Sequence, residues 1–538
     1  MNTKHYFFIV AAVILMAAGC RTTPSPVLSA SPKSLNFSAA GDESVTFEVT
    51  SNVFWTISGQ HKYDWIIEVS PDQGLGNATV TVKAKANPEN ATRESELTIT
   101  ATDVPPVTVG FRQGASTPVN IKEIGGVTAP AAGGKPVTAI TETNQYVGKV
   151  TWTPSDNPFI AGKTYTATIT MTEEPGFTLM EVAANYFTVE GAEATNPAGS
   201  GVITAKFPTI PDGSKDAPFL VATVADLQRV GKDAVWALDK HYLQTANIDM
   251  SGVPNWTPIG DGISFFTGSY DGGGYSINKL KIPSATTNQQ GLFAVIVGGT
   301  VRNVALRNVS IISTNDVVGG IASASLDGGT IENCYVSGTI SGRTNVGGIS
   351  GYNQDGLIQN CYTTCDVTGS GLHIGGIAGT GSYFDDSTSK ILRCYATGEI
   401  SGGAGVGGVV GINFSSDVTF ERCVALNPEV FALTGNEVGR MVCNINGNMN
   451  YNYARTDMKL KKSGVDADAL PSITGKDGEN VSVSTTYGNN NSTWWIGTAD
   501  FSNTLWSFAN GRLPHLKTTT GEAFKETQTP AVTENSQP

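Results

Sequence analysis

The sequence predicts an all-β chain: two β-sandwiches followed by a right-handed parallel β-helix with a C-terminal cap. Three observations carry this prediction. First, residues 216–455 repeat themselves. Val318-Gly319-Gly320-Ile321 recurs as Val346-Gly347-Gly348-Ile349, Ile374-Gly375-Gly376-Ile377 and Val406-Gly407-Gly408-Val409, then in degraded form as Val438-Gly439-Arg440-Met441, in steps of 28, 28, 32 and 32 residues. A second key, Ile331-Glu332-Asn333-Cys334-Tyr335, returns as Ile358-Gln359-Asn360-Cys361-Tyr362 and Ile391-Leu392-Arg393-Cys394-Tyr395. A fixed period of this length marks stacked units, none of which buries an apolar face alone. Second, Val, Ile, Thr and Tyr alternate with polar residues inside each unit, a local period of 2 that belongs to strands rather than helices. Third, charged residues make up only 15% of the 538 while Gly reaches 62, a composition typical of extracellular β-rich proteins.

A unit of roughly thirty residues holds about three short strands, so each unit can form one coil. Gly is expected at the corners because it accepts positive φ, with Asn the next most tolerant residue. Cys334, Cys361, Cys394 and Cys423 are then expected to stack at equivalent interior positions, as reduced thiols or as disulfides between adjacent coils. About seven coils at ~4.8 Å give a rod of roughly 30 to 35 Å.

With Ala225-Asp226-Leu227 in a short helical pattern, Asn247-Ile248-Asp249, Trp256-Thr257-Pro258-Ile259-Gly260, Phe266 to Gly272 and Gly291-Leu292-Phe293 added, the array resembles the GLUG repeats of bacterial secreted and surface proteins. The resemblance implies a β-helix and carries little about activity.

In chain order, Lys4 and His5 precede the apolar run Tyr6 to Met16, and Ala17-Ala18-Gly19-Cys20 follows. This reads as an export signal over residues 1–20, too short for a membrane span. Its end resembles a bacterial lipobox, which implies lipidation of Cys20 and durable membrane anchoring through several acyl chains. Residues 21–27 are expected to form a tether. The implied location is the outer membrane, facing either the cell surface or the periplasm.

Residues 28–115 alternate in six candidate strands and resemble a BACON module, through Trp55, Asp64-Trp65, Ser70-Pro71, Asn87, Arg93 and Phe111-Arg112-Gln113-Gly114. That family is associated with carbohydrate or mucin contact. Trp55 and Trp65 lie inside alternating apolar runs, however, and are expected in the core. Residues 117–209 resemble an Ig-like sandwich of the spacer type, with Pro154, Pro158 and Gly162 marking turns. The repeat array occupies 216–455. Residues 456–517, with Trp494-Trp495, Trp506 and Leu513-Pro514, are expected to cap the open coil, whose edges need cover. Residues 518–538 are polar, patternless and expected to be disordered.

The net charge of −13 and the absence of a basic stripe argue against nucleic acid as a partner. The five His residues form no His-Glu-x-x-His, and neither a Gly-x-Ser-x-Gly elbow ahead of a helix nor a Walker loop is present. Asp385-Asp386, beside Tyr383 and Phe384, is the acidic pair of the core repeats. Calcium-binding nonapeptides do not recur. No metal, cofactor or catalytic residue is therefore expected. The expected function is non-catalytic adhesion or glycan binding, to a polysaccharide or host glycoprotein, through Tyr383, Asp385 and Asp386 or through Trp494 and Trp495. The alternatives are a polysaccharide lyase or hydrolase on the β-helix, and a purely structural envelope component.

Overall fold

The computed structural model describes residues 24–517 except 42, 286, 385, 436 and 445. The signal segment with Cys20, Asp385 and the tail 518–538 lie outside the described residues. The chain divides into two compact units, Met1–Ile210 and Pro211–Pro538.

In the first unit, alternation of buried and exposed side chains forms sheets that each shield one face. A four-stranded sheet in the order Leu28–Ser31, Ser44–Ser51, Ala78–Ala84, Ile66–Ser70 accompanies a five-stranded one, Ser34–Phe37, Val104–Gln113, Arg93–Ala101, Phe54–Ser58, Gln73–Leu75. Their shared core includes Phe47, Val80, Leu97 and Phe111. Trp55 and Trp65 are core residues, as their flanking alternation predicts. Trp55 Nε1 donates to the Gly76 carbonyl at 2.8 Å, and the Arg93 guanidinium sits 4.9 Å above the Trp65 ring. The following segment builds a four-stranded antiparallel sheet, Tyr146–Thr153, Thr166–Glu173, Val202–Lys206, Glu193–Thr195, and a short parallel pair, Thr117–Pro118 with Phe177–Thr178. Tyr146, Trp152, Tyr165, Phe187 and Phe207 fill its core.

The second unit is a β-solenoid whose first strand, Phe219–Val221, is followed by the helix Val224–Arg229. That helix begins with a capping box, in which Thr223 Oγ1 accepts from the Asp226 amide and the Asp226 carboxylate accepts from the Thr223 amide. The repeated motifs then fall into straight rows. A nine-stranded parallel sheet runs from Phe219–Val221 to Asn448–Asn450, and its inward row reads Tyr242, Tyr270, Val301, Ile331, Ile358, Ile391, Phe420, Met449 in register. All are buried, each side chain contributing about 1.5–3 kcal/mol by the usual measure of apolar burial. Val318, Val346, Ile374, Val406 and Val438 form a second row, with Gly319, Gly347, Gly375, Gly407 and Gly439 beside them.

Some glycines of the array do turn corners at positive φ as expected, among them Gly298, Gly328 and Gly338, but the pairs of the Val-Gly-Gly-Ile key do not: none of those has positive φ. Instead each pair sits where two short strands of one coil fold face to face. A Cβ on Gly347 would lie 2.1 Å from the Ser350 carbonyl oxygen, and one on Gly375 2.1 Å from that of Ala378. The second glycine faces the next coil: a Cβ on Gly348 would lie 2.2 Å from the Gly376 oxygen. The corner requiring positive φ falls before the cysteine position, at Asn303, Asn333, Asn360, Arg393, Arg422 and Tyr451, with φ of 51–57°. Asn tolerates that region because its short polar side chain bonds locally.

The cysteines stack as predicted and are free among the described residues. Cys361 Sγ lies 3.7 Å from the Ile331 carbonyl oxygen of the preceding coil, Cys394 Sγ 3.9 Å from that of Ile358, and Cys423 Sγ 3.4 Å from that of Ile391. Burial pushes the Cys361 and Cys423 thiols up, so they stay neutral. Asn452 takes the next position and donates its amide to Phe420 O at 2.9 Å, a stronger version of the same contact.

The expected C-terminal cap resolves into two parts. Residues 456–481 close the last coil. There Arg440 replaces the second glycine, its side chain buried and donating to Asn480 Oδ1 at 2.8 Å and to the Gly478 carbonyl at 3.0 Å. Residues 482–517 instead lie along the flank, over the tyrosines that follow each cysteine. Tyr335, Tyr362, Tyr395 and Tyr453 form one cluster with Trp495, Phe501, Trp506 and Leu516. Arg393 and Arg422, which stand where earlier coils have Asn, hold this segment through Asp500 at 2.8 and 3.5 Å.

Candidate functional site

The four-residue lengthening between the glycine pairs at 375 and 407 is absorbed by the loop 381–389 between Ala378–Thr380 and Lys390–Leu392. The loop is pinned to the coils on either side. The Thr388 amide donates to Asp355 Oδ1 at 2.7 Å, the Phe414 amide to the Ser382 carbonyl at 3.0 Å, and Ser415 Oγ to the Ser387 carbonyl at 3.0 Å.

This pinning brings together an aromatic strip across three successive coils. Tyr352, in the middle of the strand Ser350–Gln354, lies 5.3 Å from the Tyr383 ring, which stacks on Phe414 of the following coil at 5.4 Å and 17°. Tyr383 is 38% and Phe384 58% exposed, so two neighbouring aromatic rings of this loop meet solvent. Beneath them is a polar cluster. Asn345 Oδ1 accepts from Tyr383 Oη at 2.7 Å and from Thr380 Oγ1 at 2.8 Å, and His373 Nδ1 stands 3.0 Å from that oxygen and 2.8 Å from Tyr383 Oη. An Nδ1–H tautomer satisfies both contacts. Burial pushes His373 down to about 4, so the imidazole is neutral near pH 7. Asn345 and His373 both adopt left-handed backbone, with φ of 57° and 66°. Tyr352 Oη bonds to Gln354 Oε1. Flat apolar faces flanked by fixed hydrogen-bonding groups match the surface of a sugar ring, apolar on its C–H face and polar at its edge.

Of the residues expected from sequence, Tyr383 stands in the strip and Asp386 is exposed in the same loop, while Asp385 lies outside the described residues. Trp494 and Trp495 are remote from it, in the flank segment. The expectation that they form a ligand platform is corrected for Trp495. Its ring is 0% exposed, its Nε1 donates to the Thr486 carbonyl at 2.8 Å, and it packs on Tyr395 and Phe501. Trp494 is half-buried, edge-on to Tyr453 at 5.1 Å. Sequence reasoning missed Tyr352, His373, Asn345 and Phe414. Tyr352, Tyr383 and Phe414 fall five, eight and seven residues after the first glycine of their coils, so no constant spacing marks them.

Residues 27–116 match the profile of the viral BACON domain, and residues 314–341 match the GLUG motif. The chain thus carries a BACON domain, a GLUG motif and a β-solenoid. Among curated proteins it is similar to halomucin of Haloquadratum walsbyi, 32% identical over 27% of this chain and 2% of that protein. It is also similar to a Gly-rich membrane protein of Evansella cellulosilytica, 38% identical over 18% of this chain and 12% of that one. A third relative, an immunoglobulin A1 protease of Streptococcus pneumoniae, is 31% identical over 27% of this chain and 7% of the protease. The chain therefore spans a small fraction of the length of each. A crystal structure of a candidate immunoglobulin A1 protease from Bacteroides ovatus aligns over 57% of this chain and 94% of its own, with TM-score 0.49 and 24% identity.

Proposed function

We propose that this chain is a non-catalytic adhesion protein of the cell envelope that binds glycans along the aromatic strip of its solenoid. The observation that carries the reading is the strip itself: Tyr352, Tyr383 and Phe414 run across successive coils with Phe384 exposed beside them. The names of the halomucin and membrane-protein relatives support an envelope setting. The sequence likeness to the streptococcal protease extends over about a quarter of this chain. The two N-terminal segments act as spacers, and lipidation of Cys20 supplies the anchor; that last element of the proposal comes from the sequence.

The test is a glycan array probed with the soluble chain and with Tyr383→Ala and Phe384→Ala. The expected result is binding by the parent and at least tenfold weaker binding by each variant, with glycan length unchanged. Shortened polymers would point to an enzyme instead. An array silent for all three proteins leaves the structural component as the surviving reading.

A further inference from the structure

At the other end of the solenoid, the outer face of the nine-stranded sheet holds a cleft of about 450 Å³, within the usual range for a small-ligand site. It is built by register. His241, Ser269 and Thr300 are cross-strand partners on three adjacent strands, and Leu243, Asp271 and Arg302 form the parallel row two residues on. Pro218 and Lys215, from the segment ahead of the first strand, wall the other side. Further along the same sheet the second row ties itself together, Gln359 Nε2 donating to Glu332 Oε2 at 2.8 Å.

The chemistry of this cleft differs from that of the aromatic strip. Its floor is a line of hydrogen-bonding groups, with His241 Nδ1 2.7 Å from Ser269 Oγ and the Thr300 hydroxyl next in register. Two cations stand at its mouth. Arg302 engages Asp271 through Nε alone, at 2.9 Å, which leaves its terminal nitrogens unbonded among the described residues. Lys215 is exposed and forms no ion pair among the described residues. Among the residues lining the cleft, the cations Lys215 and Arg302 stand against one carboxylate, Asp271, which gives a locally positive mouth on a chain whose net charge is −13. A polyanion would meet repulsion over the remaining surface, whereas a single acidic residue entering the cleft would meet mainly its mouth, since fields from charges more than about 10 Å away are screened by salt.

We infer that this cleft is a second binding site, for one acidic sugar, with Lys215 and Arg302 on the acid group and the His241, Ser269 and Thr300 row on the hydroxyls. The site stands independently of the aromatic strip. Carboxylated and sulfated sugars share this chemistry, and the probes separate them.

The full chain is titrated by calorimetry with sodium glucuronate, glucose 6-sulfate, glucose and sodium sulfate. At least one acidic sugar should bind tenfold or more tighter than either glucose or the sulfate ion, and the tighter of the two names the acid. Lys215→Gln and Arg302→Gln should each reduce that preference several-fold, and the double variant should abolish it. Should Arg302→Gln lower the melting temperature by loosening Asp271, the exposed Lys215→Gln carries the comparison alone. The inference is overturned by glucose or bare sulfate binding as tightly as the acidic sugars, by a double variant that keeps the preference, or by no binding of any probe up to about 10 mM.

Discussion

Two rows of aromatic rings climb the sides of this solenoid, and they are built differently. The tyrosines after the cysteines are cross-strand partners in strict register, stacked at 4.3 and 4.9 Å and within 20° of parallel, and the flank segment 482–517 covers them. Tyr352 comes from the middle of the strand Ser350–Gln354, but Tyr383 and Phe414, which complete the strip, come from loops; the strip stands on a hydrogen-bonded His–Asn cluster and keeps part of its rings in solvent. Where register lays down the rings, they belong to the core of the domain. Where irregular loops converge to build a row that packing does not require, the exposed ring faces are free to meet a ligand.

The largest test of this contrast removes the cover. Trp506→Ala should destabilise the chain by about 3–5 kcal/mol, as for other large buried aromatics. Hydrogen exchange should show the loss in residues 482–517 and the tyrosine row, with amides around Tyr383 unchanged. Trp506 Nε1 is buried without a partner, so Trp506→Phe deletes an unsatisfied donor along with some ring volume and should cost far less than the alanine. Equal protection loss around Tyr383 would show that the two rows are one cooperative body, and the contrast would fail.

The next test is pH. His373 titrates near 4 in the folded chain, against an ordinary 6.5. A lowered folded value means the unfolded chain binds the proton more readily, so this contribution is fully present above about pH 6.5 and is lost as pH falls toward 4. It amounts to at most about 3 kcal/mol. His373→Asn, which suits the left-handed backbone there, should flatten the fall of stability between pH 6.5 and 4 relative to the parent. An unchanged slope would mean that the imidazole is not held neutral beneath the strip.

Much of the first row was legible in the sequence because each of its positions is keyed twice, once by Ile-x-x-Cys-Tyr and once by Gly-Gly. The rows of Ile331, Ile358 and Ile391 and of Cys334, Cys361 and Cys394 lie as the repeats predict. The reason for the glycines was not legible, since close backbone approach and positive φ select the same residue. The spared corner, Asn333 and Asn360, becomes Arg393 and Arg422 in later coils, and that change marks where Asp500 docks. A repeat drifting from Asn to Arg at one position is thus a readable sign of a flank contact. Of the strip, Tyr383 alone was visible. Its partners sit at unequal distances from the glycine pair, and only the folded loop 381–389 aligns them.

The smallest test deletes one hydroxyl from each row. In the covered row, Tyr395 Oη donates to the buried Pro514 carbonyl, so Tyr395→Phe leaves an acceptor unsatisfied inside the flank contact and should cost about 1–3 kcal/mol. In the open strip, Tyr383 Oη donates to Asn345 Oδ1, which keeps the Thr380 hydroxyl and the His373 N–H as donors when the phenol is gone. Water also reaches this edge, because Tyr383 is partly exposed. Tyr383→Phe should therefore cost less than about 1 kcal/mol in stability. Its effect should appear in recognition, as a few-fold weaker affinity for a glycan bound by the parent, because the ring loses the bond that fixes its tilt. Chemical denaturation and glycan titration of the two variants side by side read both quantities. The contrast holds if Tyr395→Phe moves stability alone and Tyr383→Phe moves affinity alone. If Tyr383→Phe is the more destabilising and leaves affinity intact, the strip is packing, and the glycan must be sought elsewhere on the solenoid.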